Sequence, residues 1–410
     1  MKCRHCNTPL EHIFIDLGHQ PPSNAYLKEK QLLEPEVYYP LKVYVCDRCW
    51  LVQIPEQLRA DELFVSDYAY FSSISQTWME HVQRYVESIV NRVNLNENSF
   101  VVEVASNDGH LLQFVRERNI PCLGIEPTHS TASAARQRGI ETIEAFFNTQ
   151  MGSQLRVKRQ PADLLVGNNV LAHVPDINDF VGGIRELLAP EGVATLEFPH
   201  LLQLVNKREF DTIYHEHYSY LSLHAVKTIF ASQKLRIFDV EELPTHGGSL
   251  RIYVAHQESQ TWNLSPRVKA VLESEYQAGM LDLSYYLGFQ WQAEQIKNNL
   301  LGFLVEQKQK KCVVFAYGAA AKGNTLLNFA GIKPDLLPYV YDAAPSKQGR
   351  FLPGSHIPIL SPEKLPEQNP DYVLILPWNL KEEITHSHSY IRNWGGKFVT
   401  AIPYLEIIEV

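Results

Sequence analysis

The sequence predicts an α/β protein of three parts: a β-rich N-terminal domain followed by two separate α/β domains. Three observations carry this. From Ser99 onward, short apolar β-branched runs alternate with helical patterns, the mark of a parallel sheet covered on both faces. A second, smaller alternation of the same kind opens near Cys312. Ahead of both, residues 1–60 are dense in Cys, His, Pro and short β-like runs, opened by Cys3-x-x-Cys6 and closed by Cys46-x-x-Cys49.

The N-terminal runs are HIFIDL, YYPLKVYVC and WLVQIP, followed by a helix from about Gln76 to Val93 with Trp78, Val82, Tyr85 and Val86 near one face. The strands of the central unit are SFVVEVA, PCLGIEP, ADLLVGNN and GVATLEFP, with a helix starting at His110 after the first. KLRIFDVEEL and GGSLRIYVAH are joined by only a few residues around Pro244 and His246, too few for a helical crossover, so they pair antiparallel. Residues 263–310 read as helices. The last unit has strands CVVFAYG, LPYVYD, DYVLILP and KFVTAIP, a loop AAAKGN after the first, and then a helix TLLNFAG. The expected domains are 1–72, 73–258 and 259–410.

Composition narrows the function classes. Of 410 residues, 45% are hydrophobic and 20% charged, an ordinary globular balance. Net charge is 37 − 46 = −9, which argues against a nucleic-acid polymer as partner but leaves room for a local phosphate pocket. No run approaches the ~18–20 apolar residues of a membrane span, and MKCRHCNTPL lacks the apolar core of a secretory signal. Paired rather than scattered cysteines fit a reducing cytoplasm.

The two Cys-x-x-Cys pairs point to one metal. Each turn presents two thiolates, and Cys3, Cys6, Cys46 and Cys49 together complete the closed tetrahedral set of a structural zinc.

Residues 101–109 place Glu103 at the end of a strand and Ala105, Ser106, Asn107, Asp108 and Gly109 in the turn before a helix. Class I methyltransferases, a Rossmann-like fold, use such a turn to approach the methionine part of S-adenosylmethionine; where their motif has its first glycine, this chain has Ala105. Glu126, followed by Pro127, ends the second strand, where a carboxylate can accept both ribose hydroxyls. Asn168 and Asn169 end the third, on the ligand-binding edge of the sheet. An antiparallel last pair of strands belongs to the methyltransferase sheet and not to a dinucleotide-binding one.

Tyr214-His215-Glu216-His217-Tyr218 is the most chemically loaded stretch. It lacks the His-Glu-x-x-His spacing of a zinc hydrolase. A neutral imidazole suits removal of a weakly acidic C–H proton, and a neighbouring Glu can orient it. His246, Gly248, Ser249 and Arg251 form a donor-rich strand start suited to a phosphate or sugar hydroxyl. Tyr317, Gly318, Lys322 and Asn324 lie on a strand–glycine–helix turn that can receive a phosphate.

The order of these parts resembles the nucleotide-sugar C-methyltransferases that make branched deoxysugars. The matching stretches are the Cys pairs, DYAYFSSIS, EVASNDGHLL, YHEHYSYLS, HGGSLR, YGAAAKGNTLLN and SKQGRFLPGSHIPI, spread over nearly the whole chain. The resemblance implies a zinc-binding domain, a central S-adenosylmethionine domain and a C-terminal Rossmann-like domain. It also implies a dTDP-4-keto-6-deoxyhexose as substrate. The family's base falls on His217, with Glu216 and Tyr214 beside it, and a tyrosine from the end of the zinc domain falls on Tyr68 or Tyr70. The expected chemistry is deprotonation beside the C4 ketone, at C3 in preference to C5, then attack on the methyl donor. A hydroxyl of Tyr214, Tyr68 or Tyr70 would support the enolate oxygen. The competing readings are a sugar O- or N-methyltransferase and a non-catalytic binding protein on a degenerate core. The expected assembly is a monomer or small homo-oligomer.

Overall fold

The computed structural model describes residues 1–63, 73 and 76–409. The two candidate tyrosines Tyr68 and Tyr70 lie outside the described residues.

The N-terminal segment forms β1 (His12–Gln20), β2 (Tyr39–Val45) and β3 (Val52–Gln53), paired antiparallel in that order. Alternation in β2 buries Leu41, Val43 and Val45 while Lys42 and Tyr44 stay more open, as a one-sided sheet requires.

The central sheet takes β4 (Val101–Val104), β5 (Cys122–Ile125), β6 (Thr142–Ile143), β7 (Ala162–Asn168) and β8 (Leu188–Pro199). The chain then forms β9 (Ser219–Tyr220) before β10 (Leu235–Leu243) and β11 (Ser249–His256) close the sheet. Its order is β6-β5-β4-β7-β8-β11-β10, parallel up to β8, with β11 antiparallel to both its neighbours. This is the methyltransferase arrangement expected from the short connection around Pro244. Helices 76–93 and 110–116 bury Val82, Tyr85, Val86, Leu111 and Leu112 on one face; helices 177–187 and 223–232 bury Phe180, Ile184, Val226 and Ile229 on the other.

β9 leaves this sheet. It pairs with β3, so two residues that follow the Tyr-His-Glu-His-Tyr stretch become the fourth strand of the N-terminal sheet. No local pattern announces a two-residue strand, and the sequence reading missed it.

The C-terminal domain has β12 (Val314–Tyr317), β13 (Val340–Tyr341), β14 (Ile359–Leu360), β15 (Tyr372–Ile375), β16 (Lys397–Thr400) and β17 (Glu406–Ile408). Their order is β14-β13-β12-β15-β16-β17, parallel except for β17. The helix after β12 runs Ala321–Ala330, four residues earlier than Thr325, so Lys322 and Asn324 sit in its first turn and not in a loop. Close packing explains the early start: a Cβ on Gly323 would come within 2.9 Å of Leu376, so glycine lets the helix lie on the chain leaving β15.

The terminal domains share one core. Phe14 of β1 stacks on Phe289 at 4.7 Å, and Ile15, Leu41 and Val43 join Tyr286, Leu300 and Leu326 in a single cluster. An isolated bridge, Leu27 to Phe351, adds a backbone link. No helix among the described residues is long and apolar enough to cross a membrane.

Candidate active site

The metal centre is built by the two Cys turns. The four Sγ atoms lie within 4.8 Å of one another, with Cys3–Cys49 and Cys6–Cys46 at 3.5 Å. A tetrahedral zinc with bonds of about 2.3 Å needs sulfurs about 3.8 Å apart, so the set fits that ion. Gln53 donates from Nε2 to Cys3 Sγ at 3.1 Å, supporting a ligand from outside the set. Four thiolates leave no open position.

The residues expected to hold the cofactor gather where β4 and β7 end. Ala105 and Asn107 adopt left-handed backbone (φ 56° and 49°) and Gly109 follows at 75°, which folds the turn tightly before the helix. Glu126 accepts the Asn107 N–H at 2.9 Å, the Thr128 N–H at 3.0 Å and the Thr128 hydroxyl at 2.6 Å. Its carboxylate therefore shapes the loop as well as standing where ribose hydroxyls are expected. Asp108 is tied to Arg138 at 2.9 Å and His110 at 3.2 Å. Burial drives the Glu103 carboxyl well above its usual range, with Asp108 and Glu126 adding to the effect.

Glu103 Oε2, Ser106 Oγ, Asn168 Oδ1 and Asn169 Oδ1 are buried without partners. Orphaned polar atoms at the ends of β4 and β7 are what a polar cofactor would satisfy. S-adenosylmethionine, with its amino-acid end, ribose and adenine, matches this donor and acceptor set.

The second part of the candidate site is the turn from Glu209 to His217. His217 donates from Nδ1 to the Thr212 carbonyl at 2.8 Å, which leaves Nε2 as the basic nitrogen. Burial holds its pKa well below 6.5, and His173, His246 and Lys322 push it further down. The His217 ring lies 4.0 Å from that of Tyr214 and 4.6 Å from that of His173. Glu216 is not the group that orients the His217 ring. Its carboxylate accepts from Asn24 Nδ2 at 2.7 Å, its backbone carbonyl accepts from His173 Nδ1 at 2.8 Å, and the orienting acceptor is the Thr212 carbonyl. His215 packs edge-on to Tyr39 at 6.0 Å, and burial lowers its pKa to about 4.

Neighbouring elements hold this turn. Thr325 donates to the Ile213 carbonyl at 2.8 Å and Trp378 Nε1 donates to Asp211 at 2.9 Å; Asn324, on the helix of Thr325, instead ties that helix to the N-terminal domain by donating to the Ser23 carbonyl at 2.6 Å. Lys322 donates to Asn379 at 2.7 Å and lies 4.5 Å over the Trp378 ring. Burial lifts the Glu209 carboxyl to about 8 and the Asp211 carboxyl to about 6.

His246, in the turn after β10, lies 3.2 Å from Asn169 Nδ2, linking the expected sugar side to the cofactor edge. Gly248 and Ser249 start β11 beside it; the Ser249 hydroxyl donates to the Thr245 carbonyl at 2.9 Å. Arg251 is directed elsewhere. It is buried and paired with Glu197 at 2.7 Å and Glu241 at 3.4 Å, because its strand faces two carboxylates at that register. Tyr317 ends β12, and Gly318 (φ 89°) makes the turn; a Cβ there would meet Pro377 at 2.4 Å. The sequence reading missed Asn24, His173, Glu209, Asp211, Trp378 and Asn379. Of these only His173, just past Asn168 and Asn169, carried a usable signal.

Comparison with known proteins agrees with this architecture. Residues 3–64 match the family described as "Putative zinc binding domain", residues 78–238 a "Methyltransferase domain", and residues 244–403 a "C-methyltransferase C-terminal domain". The chain is 34% identical to C-methyltransferase NovU of Streptomyces niveus over 412 residues, covering 100% of this chain and 97% of that protein. Among solved structures, PH0226 from Pyrococcus horikoshii is similar at 12% identity and a TM-score of 0.38, over 46% of this chain and 95% of that one. Magnesium protoporphyrin IX methyltransferase from Synechocystis, with bound SAH, is similar at 13% identity and 0.35, over 43% of this chain and 83% of that one.

Proposed function

The chain belongs to the S-adenosylmethionine-dependent C-methyltransferase family, and from that premise we propose a nucleotide-linked 4-keto-deoxysugar as the acceptor. The methylated carbon is the one beside the ketone, C3 in preference to C5, and His217 is the base. The observation that carries this is the His217 Nδ1–H bond to Thr212, which presents Nε2 as a proton acceptor among residues of all three domains. When bound, S-adenosylmethionine supplies an electrophilic methyl group on a positively charged sulfur.

His217 Nε2 takes the proton from the carbon beside the ketone, and the C–H electron pair passes into the enolate. The enolate carbon then forms the new bond to the methyl group while the methyl–sulfur bond breaks and its electron pair stays with the sulfur, and the ketone is restored. The His217 proton leaves to solvent before the next turnover. A carbon nucleophile needs a ketone to acidify its C–H bond. An O- or N-methyltransferase does not, so the two readings separate on substrates lacking the ketone.

The test is solvent-deuterium exchange into a dTDP-4-keto-6-deoxyhexose without methyl donor. A positioned base contributes about 10²–10⁴-fold, so His217→Ala should lose exchange and methyl transfer by that order while binding S-adenosylmethionine normally. His215→Ala should be milder. An alanine variant at His217 that exchanges at the wild-type rate assigns the base elsewhere.

A further inference from the structure

Lys322 is near enough to His217 for its charge to act on that ring, and it is fixed to the same turn. Its Nζ donates to Asn379 Oδ1 at 2.7 Å and rests 4.5 Å over Trp378, whose Nε1–H donates to Asp211 Oδ2 at 2.9 Å. Asp211 adjoins Thr212, and the Thr212 carbonyl holds His217. The helix that carries Lys322 is bonded to the turn again through Thr325 and Ile213. Ammonium and imidazole are thus set relative to each other through residues 211–213. Burial works against the charge on Lys322, while Asp211 and Glu209 support it.

We propose that Lys322 is a catalytic residue whose ammonium donates a hydrogen bond to the ketone oxygen as His217 removes the neighbouring proton. This rests on the function proposed above. Two observations favour it over the phosphate role that its place after a glycine turn suggests.

The first is the company it keeps. Asp211 Oδ1 and Glu209 Oε1 are buried and unpartnered near the ammonium. A diphosphate would bring about two more negative charges beside Asp211, a poorly solvated carboxylate, and beside Glu209, whose ionisation burial already opposes. A ketone arrives neutral and gains charge only as the proton leaves, so it meets that repulsion only in part, and the buried ammonium opposes it.

The second is the weakness of the base. An imidazole kept neutral by burial, with the Lys322 ammonium nearby, has little thermodynamic pull on a carbon-bound proton. Most of the driving force must then come from the oxygen end. The proton goes to His217 Nε2, the C–H pair forms the new C=C bond, and the carbonyl π pair moves to the oxygen. Lys322 keeps its proton throughout and shares it in a hydrogen bond. On methyl transfer the C=C π pair forms the bond to the methyl carbon, the methyl–sulfur pair stays with the sulfur, and the oxygen's electron pair returns to re-form the ketone.

The test measures deuterium exchange at saturating dTDP-4-keto-6-deoxyhexose and, separately, affinity for thymidine diphosphate. Lys322→Met should slow exchange by about 10²–10³-fold with thymidine diphosphate affinity within about twofold of wild type. Lys322→Gln serves if the Met variant does not fold, and Lys322→Arg should recover part of the rate. Exchange at the wild-type rate in the neutral variants overturns the proposal. So does a loss confined to KM and to thymidine diphosphate affinity, which would make Lys322 a phosphate ligand. His217→Ala in the same series separates the two readings. If it exchanges normally, the base assignment fails; if it is inactive while Lys322→Met is active, only the role of Lys322 fails.

Discussion

The Nδ1 of His217 stands 2.8 Å from the carbonyl oxygen of Thr212, and this one contact fixes which ring nitrogen is basic. A backbone carbonyl can only accept, so Nδ1 carries the hydrogen and Nε2 the lone pair.

The pH dependence of exchange follows from that ring. Only neutral His217 can take a proton, and burial with His173, His246 and Lys322 nearby holds its pKa well below 6.5. Protonation therefore sets in only at more acidic pH, and the acid limb of the rate should fall well under 6.5. Asp211, held up to about 6 by burial, titrates closer to neutrality and gives a separate step. That step should vanish in Asp211→Asn while the His217 limb remains. Glu209, pushed up to about 8 by burial, is the other raised carboxyl of this turn, so an acid limb at or above 6.5 that survives both Asp211→Asn and Glu209→Gln would mean the base is not this buried imidazole.

Ala105 is a second test of local physics. It holds φ 56°, a backbone region costing a residue with a Cβ about 1–2 kcal/mol. Ala105→Gly relieves that strain but gives up about 0.4–1 kcal/mol through the freer unfolded chain. The net should be a gain of about 0.5–1 kcal/mol, with S-adenosylmethionine affinity unchanged. Denaturant midpoints report it, and a destabilised glycine variant would show that the turn is not strained.

Arg251 should matter for folding and not for substrate. Burial alone would raise the Glu197 carboxyl, but His81, Arg251 and Thr245 hold it down at about 2. Arg251→Met leaves that carboxylate buried with its strongest charge partner gone, at a cost of about 3–5 kcal/mol. Glu197→Gln with Arg251→Met should recover much of the loss. A single Arg251→Met variant of native stability but raised substrate KM would return Arg251 to the pocket.

How much of this was legible depended on whether the information was local. The Cys-x-x-Cys turns, the strand ends at Glu103 and Glu126, and the antiparallel β10–β11 pair are each written in a few adjacent residues. The strand β9 is two residues long and exists only because β3 lies beside it. The acceptor that orients His217 is a backbone carbonyl, which no side-chain pattern marks. Trp378 lies just beyond β15, 167 residues after the Asp211 it bonds, and Asn379 beside it holds Lys322. Glu216 misled because adjacency to His217 looked like support, whereas successive residues on a turn point different ways and Glu216 reaches Asn24.

The zinc domain gives the last prediction. β3 pairs with β9, the Ile54 N–H donates to the Tyr218 carbonyl at 3.1 Å, and Asn24 holds Glu216 at 2.7 Å, so this domain grips both sides of His217. Gln53, paired with Ser219 on β9, also donates to the metal ligand Cys3. Metal binding in such sites is coupled to folding. Cys46→Ser, or stripping of the ion by a chelator, should loosen the N-terminal sheet and with it the catalytic turn. The crevice at β4 and β7 belongs to a different sheet: Cys3, Cys46, Cys49 and Leu51 join the cluster on one face of it, but the cluster on the other face, under helices 76–93 and 110–116, contains no zinc-domain residue. Deuterium exchange should therefore fall at least tenfold while S-adenosylmethionine affinity changes by less than about threefold, a gap of ~0.7 kcal/mol or more between the two sites. Wild-type protein should carry one zinc per chain, and the Cys46 variant less. If exchange and cofactor affinity fall together, loss of the ion unfolds the whole chain and the domain holds no special grip on His217.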